Sequence, residues 1–291
     1  MIENPANYYT GLDVADRIIS RNVLLFERRT RGALQQKIKG ALQRKNLAGR
    51  MHHRYVLIRS LQTAGVISVD GKALHLKEGA ALLMTPYQFH HYIDLAADEL
   101  HWLFITFELE KGETQLGKLS HQVINPDTKT DLMWSEIANL WVDEHLDNRV
   151  ELLPILDRLL TRIHSSSKFE PPLTEESLST KSEWIVRIES LIFQSVREHW
   201  SLEEVARRAG LSERHLRNRF EAQMGISLRD HRSNYQLHLA ISLMRNQEFS
   251  ISDIAELSGF NSQSVFTHFI RRMSGQTPRE LRARILSGES T

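Results

Sequence analysis

The chain has 291 residues, enough for two domains, and is 41% hydrophobic and 25% charged, as globular proteins are. It has no cysteine, which excludes disulfides, thiolate metal sites and cysteine nucleophiles. Net charge is only +1, but 15 Arg, no Lys and 12 acidic residues fall between 183 and 284, so the position of the arginines is more informative than bulk charge.

No run of about 18 apolar residues marks a membrane span. Met1-Ile2-Glu3-Asn4-Pro5 has neither the basic nor the apolar region of a secretory leader, so a cytoplasmic location is expected. Residues 1 to about 22 carry Tyr8, Tyr9 and a short helical pattern, Val14, Ile18 and Ile19, readable as an arm on the domain that follows. Nine Lys or Arg and no acid lie between Arg28 and Arg54; they read as solvated faces, an anion site or an extra DNA contact.

From Tyr55 to Phe107 the pattern is of short strands. Tyr55-Val56-Leu57-Ile58, Gly65 to Val69, Leu74-His75-Leu76, Ala81 to Met84 and His101 to Phe107 are apolar or alternating runs. Asp70-Gly71 is a hairpin turn and Glu78-Gly79 a further turn. Such a set predicts a small barrel or jelly roll. Asp131 to Ile163 reads as two helices, one with Leu132, Ile137, Leu140 and Trp141, the other with Leu152, Leu153, Leu156, Leu159, Leu160 and Ile163. A short loop at Asp147-Asn148-Arg149 predicts that they pack antiparallel. Ser165 to Ser182, with Pro171-Pro172 and little apolar content, is the expected linker.

The C-terminal part contains one fragment twice. Leu202, Val205, Ala206 and Gly210 recur 49 positions later as Ile251, Ile254, Ala255 and Gly259, and after the glycine the offset becomes 50. Ser212, Leu216, Phe220, Gly225 and Ser227 then match Ser262, Phe266, Ile270, Gly275 and Thr277. Ser201 with Glu204 reads as a capping box, and Ser250 with Asp253 as a looser one. Gly210 ends the first helix of its copy, and Ser212 caps the next. A short helix, a glycine turn and a second helix with a bare polar face make a helix-turn-helix. Ile185, Ile188, Ile192 and Val196 predict a helix ahead of the first copy, and Leu228 to Arg245 a long helix between the two.

Gly259-Phe260-Asn261-Ser262-Gln263-Ser264-Val265-Phe266-Thr267-His268 and Gly275-Gln276-Thr277-Pro278 resemble the signature of AraC/XylS-type transcription regulators, over about Glu183 to Arg284. The sequence departs from that pattern at His268, where the family usually has Arg, and at Ile270, where it usually has Phe. The β-rich part resembles the family's cupin-like effector domain through Val69-Asp70-Gly71, Leu76-Lys77-Glu78-Gly79 and His90-His91-Tyr92.

The expected fold is therefore α+β in two domains. A cupin-like β-barrel with an antiparallel helical pair, for effector binding and dimerisation, spans 1–164; a linker spans 165–182. An all-α domain with two helix-turn-helix motifs spans 183–291.

Residue types then assign the contacts. Arg214, Arg217 and Asn218 face base edges in the first unit, Arg being suited to guanine and Asn to adenine. The family motif places Gln263, Ser264, Thr267 and His268 in the second. Arg271, Arg272 and Arg282 are phosphate neutralisers. Each could equally be a solvated side chain. Alternation from Tyr92, with resemblance to the family's sugar-binding member, lets Gln62, Tyr92, Trp102 and Phe104 line an effector pocket; all but Gln62 would serve equally as core. The histidines His52, His53, His75, His90 and His91 lack the cupin metal pattern, so no metal, cofactor or catalytic residue is expected. The family implies double-stranded DNA, a small-molecule effector, RNA polymerase and a second copy of the chain as partners, and no membrane. Two alternatives are a cupin-type metalloenzyme fused to a DNA-binding module and a regulator controlled by a partner protein.

Overall fold

The computed structural model describes residues 17–30, 54–95, 100–142, 151–166, 168–173 and 180–287. Asp70 and Gly71 both have left-handed backbone angles, φ +49° and +78°. That geometry closes a two-residue hairpin turn, so Gly65–Val69 (β3) and Lys72–Leu76 (β4) pair antiparallel outward from Val69 and Lys72. His90–Leu95 (β6) pairs with the other side of β3, giving a three-stranded sheet in the order β4-β3-β6.

A second sheet holds Ile19–Thr30 (β1), Tyr55–Ser60 (β2), Ala81–Met84 (β5), Leu100–Lys111 (β7), Val123–Asn125 (β8) and Lys168–Glu170 (β9), in the order β1-β7-β2-β5-β8-β9. Alternation along β2 and β7 divides their side chains between two cores. Val56, Ile58, Trp102 and Phe104 face the three-stranded sheet. Leu57, Ile105 and Phe107 face the helices Thr128–Val142 (α2) and Leu152–Ser166 (α3); the short helix Glu113–Gly117 (α1) adds Leu116 to that side.

Several expectations need correction. The barrel is not closed: the two sheets pack face to face, and no ladder joins them among the described residues. Ile19 begins a strand, not a helical pattern, because β1 pairs along its length with β7. Leu132 points outward, 65% exposed, since the inward stripe of α2 runs through Met133, Ile137 and Leu140 at helical spacing. On α3, Leu156, Leu159, Leu160 and Ile163 are all 0% exposed, so this stripe packs on the sheet and is not available to a partner. The segment from 165 begins as the end of α3 and contributes β9, which pairs with β8. Val14, Tyr8, Tyr9, the stretch 31–53 and the loop 147–149 lie outside the described residues.

The C-terminal part is helical: Thr180–Arg197 (α4), Leu202–Arg208 (α5), Glu213–Met224 (α6), Leu228–Met244 (α7), Ile251–Leu257 (α8), Gln263–Ser274 (α9) and Pro278–Ser287 (α10). Ile185, Ile188, Ile192 and Val196 are the buried stripe of α4. Ile185, Ile188 and Ile192 join Val205, Leu216 and Phe220 in one core. Leu237, Ile241, Ile254, Phe266, Ile270 and Leu281 form the other. Each core holds one copy of the repeat, and α7 runs between them over roughly 25 Å at about 1.5 Å per residue.

Candidate nucleic-acid interface

Each copy of the repeat is fixed by its caps. The Ser201 hydroxyl accepts from the Glu204 amide, Ser212 from His215, Ser250 from Asp253 and Ser262 from Val265. The complete capping box is the second one: the Asp253 carboxylate also accepts from the Ser250 amide at 2.7 Å. The first is only half made. Glu204 instead accepts from Arg207 at 2.7 Å and from Arg208 at 2.7 Å, and these arginines hold its carboxyl down at about 2. The Glu side chain reaches forward to cations three and four residues on, while the shorter Asp reaches only back.

Gly210 and Gly259 follow α5 and α8 with φ +71° and +80°. The two turns differ in their surroundings. A Cβ on Gly210 would meet nothing within 4 Å, whereas one on Gly259 would lie 2.6 Å from the Val196 carbonyl oxygen at the end of α4. The Gly259 turn is therefore seated on α4. His199 Nδ1 and Asn261 Oδ1, 3.1 Å apart, and a Gln236 amide bond to the Ser258 carbonyl at 3.1 Å hold it there.

After these turns come α6 and α9, each with one fully buried side. Leu216 and Phe220 are 0% exposed on α6, as are Phe266 and Ile270 on α9. The opposite side of α6 exposes Arg214, Arg217 and Asn218. Arg217 lies 3.6 Å from Glu213, and Arg214 has no ion-pair partner among the described residues. The opposite side of α9 exposes Gln263, Ser264, His268, Arg271 and Arg272. Thr267 is half-buried, and its hydroxyl donates to the Gln263 carbonyl at 2.8 Å, which leaves its oxygen able only to accept. Val265, 58% exposed, stands on the same helix as a bare apolar side chain.

Arg282, expected to neutralise phosphate, is engaged within the protein. Its guanidinium donates to the Phe249 and Asn246 carbonyls, at 2.7 Å each. It ties α10 to the loop after α7 with two of its five N–H donors. Two further arginines stack on indoles: Arg208 lies 3.6 Å from the Trp200 ring centre, and Arg219 lies 4.1 Å from that of Trp184. Spacing alone does not separate these from the bare ones.

In the sheets, three of the four expected effector residues come together. The Tyr92 and Trp102 rings are 5.3 Å apart, and Trp102 and Phe104 are 6.4 Å apart. Trp102 donates to the Thr63 carbonyl at 2.6 Å, so its polar edge is satisfied. Gln62 is elsewhere. It is exposed and bonds His101 at 2.9 Å, and His101 follows the opposite face of β7 from Trp102. Phe26 joins the cluster instead, stacked 5.0 Å from Phe104, with Leu24 and Phe26 47% and 37% exposed. Arg28 lies 5.8 Å from the Phe104 ring. Burial pushes the Tyr92 hydroxyl up, and a hydrogen bond and the charge of Arg28 oppose that. The alternation Leu24, Phe26, Arg28 was the available signal. His52 and His53 lie outside the described residues, and no group of three His, Asp or Glu among those described could hold a metal ion.

Residues 205–284 match a family model described as a helix-turn-helix domain. The chain is 24% identical over 228 residues to a probable transcriptional regulator, LumQ, of Photobacterium leiognathi, covering 78% of this chain and 89% of that one. It is 24% identical over 235 residues to the transcriptional activator RhaR of Yersinia pestis, covering 81% and 71%. A crystal structure of an AraC-type DNA-binding domain protein from Chromobacterium violaceum is 26% identical over 36% of this chain and 95% of its own, with a TM-score of 0.33. The relatives and the matched family are transcription regulators, not enzymes, and no helix among the described residues is long and apolar enough to cross a membrane.

Proposed function

We infer that this transcription regulator, whose C-terminal part belongs to the AraC-type helix-turn-helix family, reads double-stranded DNA through two helix-turn-helix motifs, α5–α6 and α8–α9. The observation that carries the reading is the two-sidedness of α6 and α9. Each buries one side completely and bares a row of base-reading side chains on the other. Arg214, Arg217 and Asn218 read one half-site, and Gln263, Ser264, Thr267 and His268 read the other. Arg271 and Arg272 neutralise phosphate. Residues 183–291 are the DNA-binding unit. Binding-site selection tests the assignment. Arg217→Ala relaxes one base pair, by about 1–3 kcal/mol there. Arg271→Ala weakens all sequences alike and flattens the salt dependence. Reversal of these two effects would refute the placement of the helix faces.

The pair of packed sheets is the effector part. Its site is the cluster of Tyr92, Trp102 and Phe104, enlarged by Phe26 and Arg28. A small molecule seated there, and not a partner protein, switches the regulator. A ligand screen by thermal shift checks this, because a ligand of the folded state raises the melting temperature. The chain acts in the cytoplasm as a homodimer that works with RNA polymerase. The outward face of α2, where Leu132 and Val142 are 65% and 76% exposed, is the dimer contact.

A further inference from the structure

Glu189 is 0% exposed, on a helix of the C-terminal part, and a buried carboxylate needs a compensating partner. Its Oε1 lies 2.7 Å from His91 Nε2 and 3.0 Å from His231 Nε2. His91 belongs to β6 in the sheets, and His231 to α7, so one carboxylate joins both parts of the molecule. His91 is 6% exposed and His231 0%. Neither ring N–H points at the oxygen closely enough for a well-aligned hydrogen bond, so charge carries more of the attraction than geometry does.

The surroundings are built for contact between the two parts. Phe89, in the loop before β6, meets the rings of Phe193, His231, Tyr235 and His238, at 6.1, 5.3, 6.2 and 5.0 Å. A Cβ on Gly71, at the tip of the β3–β4 hairpin, would lie 2.1 Å from the Phe193 ring. The face of the C-terminal part in contact is that of α4 and α7. The exposed base-reading side chains are on α6 and α9.

We propose that His91, Glu189 and His231 form a proton-sensitive latch between the sheets and the DNA-binding helices, closed with one proton on its two imidazoles and opened by a second. One carboxylate balances one imidazolium. A second leaves a net charge among Phe89, Phe193 and Phe220, and burying an uncompensated charge is costly. Among the described residues, no other group at the contact balances it. Asp70, on the hairpin turn, is engaged by Gln88 and by His121, each at 2.9 Å. Its charge and, above all, burial push the neighbouring Tyr235 up to about 12. His90 lies 3.0 Å from the Gln88 carbonyl, and Arg232 donates to the Ser195 carbonyl. Lys72 on β4 and Arg197 on α4 are exposed, and His238 lies against Phe89.

The direction with pH follows. Burial lowers His231 below the ordinary imidazole value, and Glu189 only partly offsets this. The docked form therefore binds fewer protons than the undocked form just below pH ~6.5, and docking is lost as pH falls through that range. Burial raises Glu189, but the charge of His91 and the contacts from His231 and His91 outweigh it and hold it low, so its own protonation matters only in stronger acid.

The absence of native cysteine makes a direct test practical. Lys72→Cys and Glu198→Cys, both at exposed positions, carry a donor and an acceptor dye on the full chain. Energy transfer should fall between about pH 7.5 and about pH 5.5, while circular dichroism stays unchanged. In a His231→Gln background, which keeps a donor but cannot take the proton, the fall should be lost. Transfer that is flat with pH in the wild type, or that falls equally in the variant, would overturn the latch. If His231→Gln does not fold, His91→Gln is read in the same way. The readout needs no DNA, so it fails or succeeds separately from the assignment of the recognition helices.

Discussion

Gly210 and Gly259 occupy equivalent positions in the two copies, and the structure makes them a controlled pair. Both have φ near the left-handed region, at +71° and +80°, where an L side chain costs roughly 1–2 kcal/mol. Gly210→Ala meets nothing else within 4 Å, so its whole loss is that strain. Gly259→Ala adds a Cβ 2.6 Å from the Val196 oxygen, 3.2 Å from its carbonyl carbon and 3.0 Å from its Cγ1. Two of those three atoms are backbone of α4 and cannot swing aside. Overpacking of this kind costs about 1–3 kcal/mol more. The expected totals are ~1–2 kcal/mol for Gly210→Ala and ~2–5 kcal/mol for Gly259→Ala. At roughly 4–8 °C per kcal/mol for a unit of about 100 residues, the second should lower the melting temperature by several degrees more than the first. Thermal unfolding of both variants of the full chain, followed by circular dichroism, measures the difference. The Gly259→Ala protein should also bind its operator less tightly, because the turn that places α9 can no longer rest on α4. Equal losses, or a larger one at Gly210, would show that the second turn is not seated on Val196.

Three further outcomes follow from single side chains. Arg282→Ala should lower the melting temperature while leaving the salt dependence of DNA binding unchanged, since its donors bind carbonyls; a flattened salt titration would return it to the phosphates. Leu132→Glu places a charge on the exposed face of α2 without touching the core, and sedimentation should show the dimer dissociating while the fold stays intact; an undiminished dimer would move the contact elsewhere. His268→Arg supplies a permanent charge and a forked donor at an exposed position of α9, so binding should tighten and its salt dependence steepen, as checked by titration at several ionic strengths.

Much of the helical part is legible in the sequence because its signals are local. A cap needs one hydroxyl beside a helix start, a left-handed turn needs one glycine, and a buried stripe needs a spacing of three or four. The repeat makes each signal count twice. What is not legible depends on partners distant in sequence. Strand β9 is three residues in a segment rich in proline and serine, and only the free edge of β8 makes it a strand. Arg282 looks like any basic residue on a polar helix until the Asn246 and Phe249 carbonyls are brought to it. Leu132 reads as inward because it is apolar, although Met133 and Trp134 hold the inward positions. Glu189 did leave a trace: it is an acid inside the stripe Ile185, Ile188, Ile192, where an unpaired carboxylate does not belong. Its two histidines, 98 positions before and 42 after, could not be chosen among the 14 in the chain without the fold.

The two copies have diverged in complementary ways. The second has the complete capping box and a turn pressed onto α4 and bonded to α7. The Thr277 amide donates to the Glu280 carboxylate at 2.7 Å and the Glu280 amide to the Thr277 hydroxyl at 3.3 Å, which starts the helix after it. α9 thus follows a turn set against α4 and α7, yet it offers an amide, hydroxyls and an imidazole, which can pair with several bases. The first copy has a half-made box and an open turn, and its recognition helix carries Arg214, Arg217 and Asn218. Forked contacts from Arg to guanine discriminate between bases by about 1–3 kcal/mol each. Firm placement and strict reading therefore belong to different units. On the proposed reading, the second should position the protein along the duplex and the first should select the sequence, so the half-site under α6 should be the more strictly defined and the richer in G·C. The rise of α7, roughly 25 Å, together with the width of the helices at its two ends, suits half-sites about one helical turn apart.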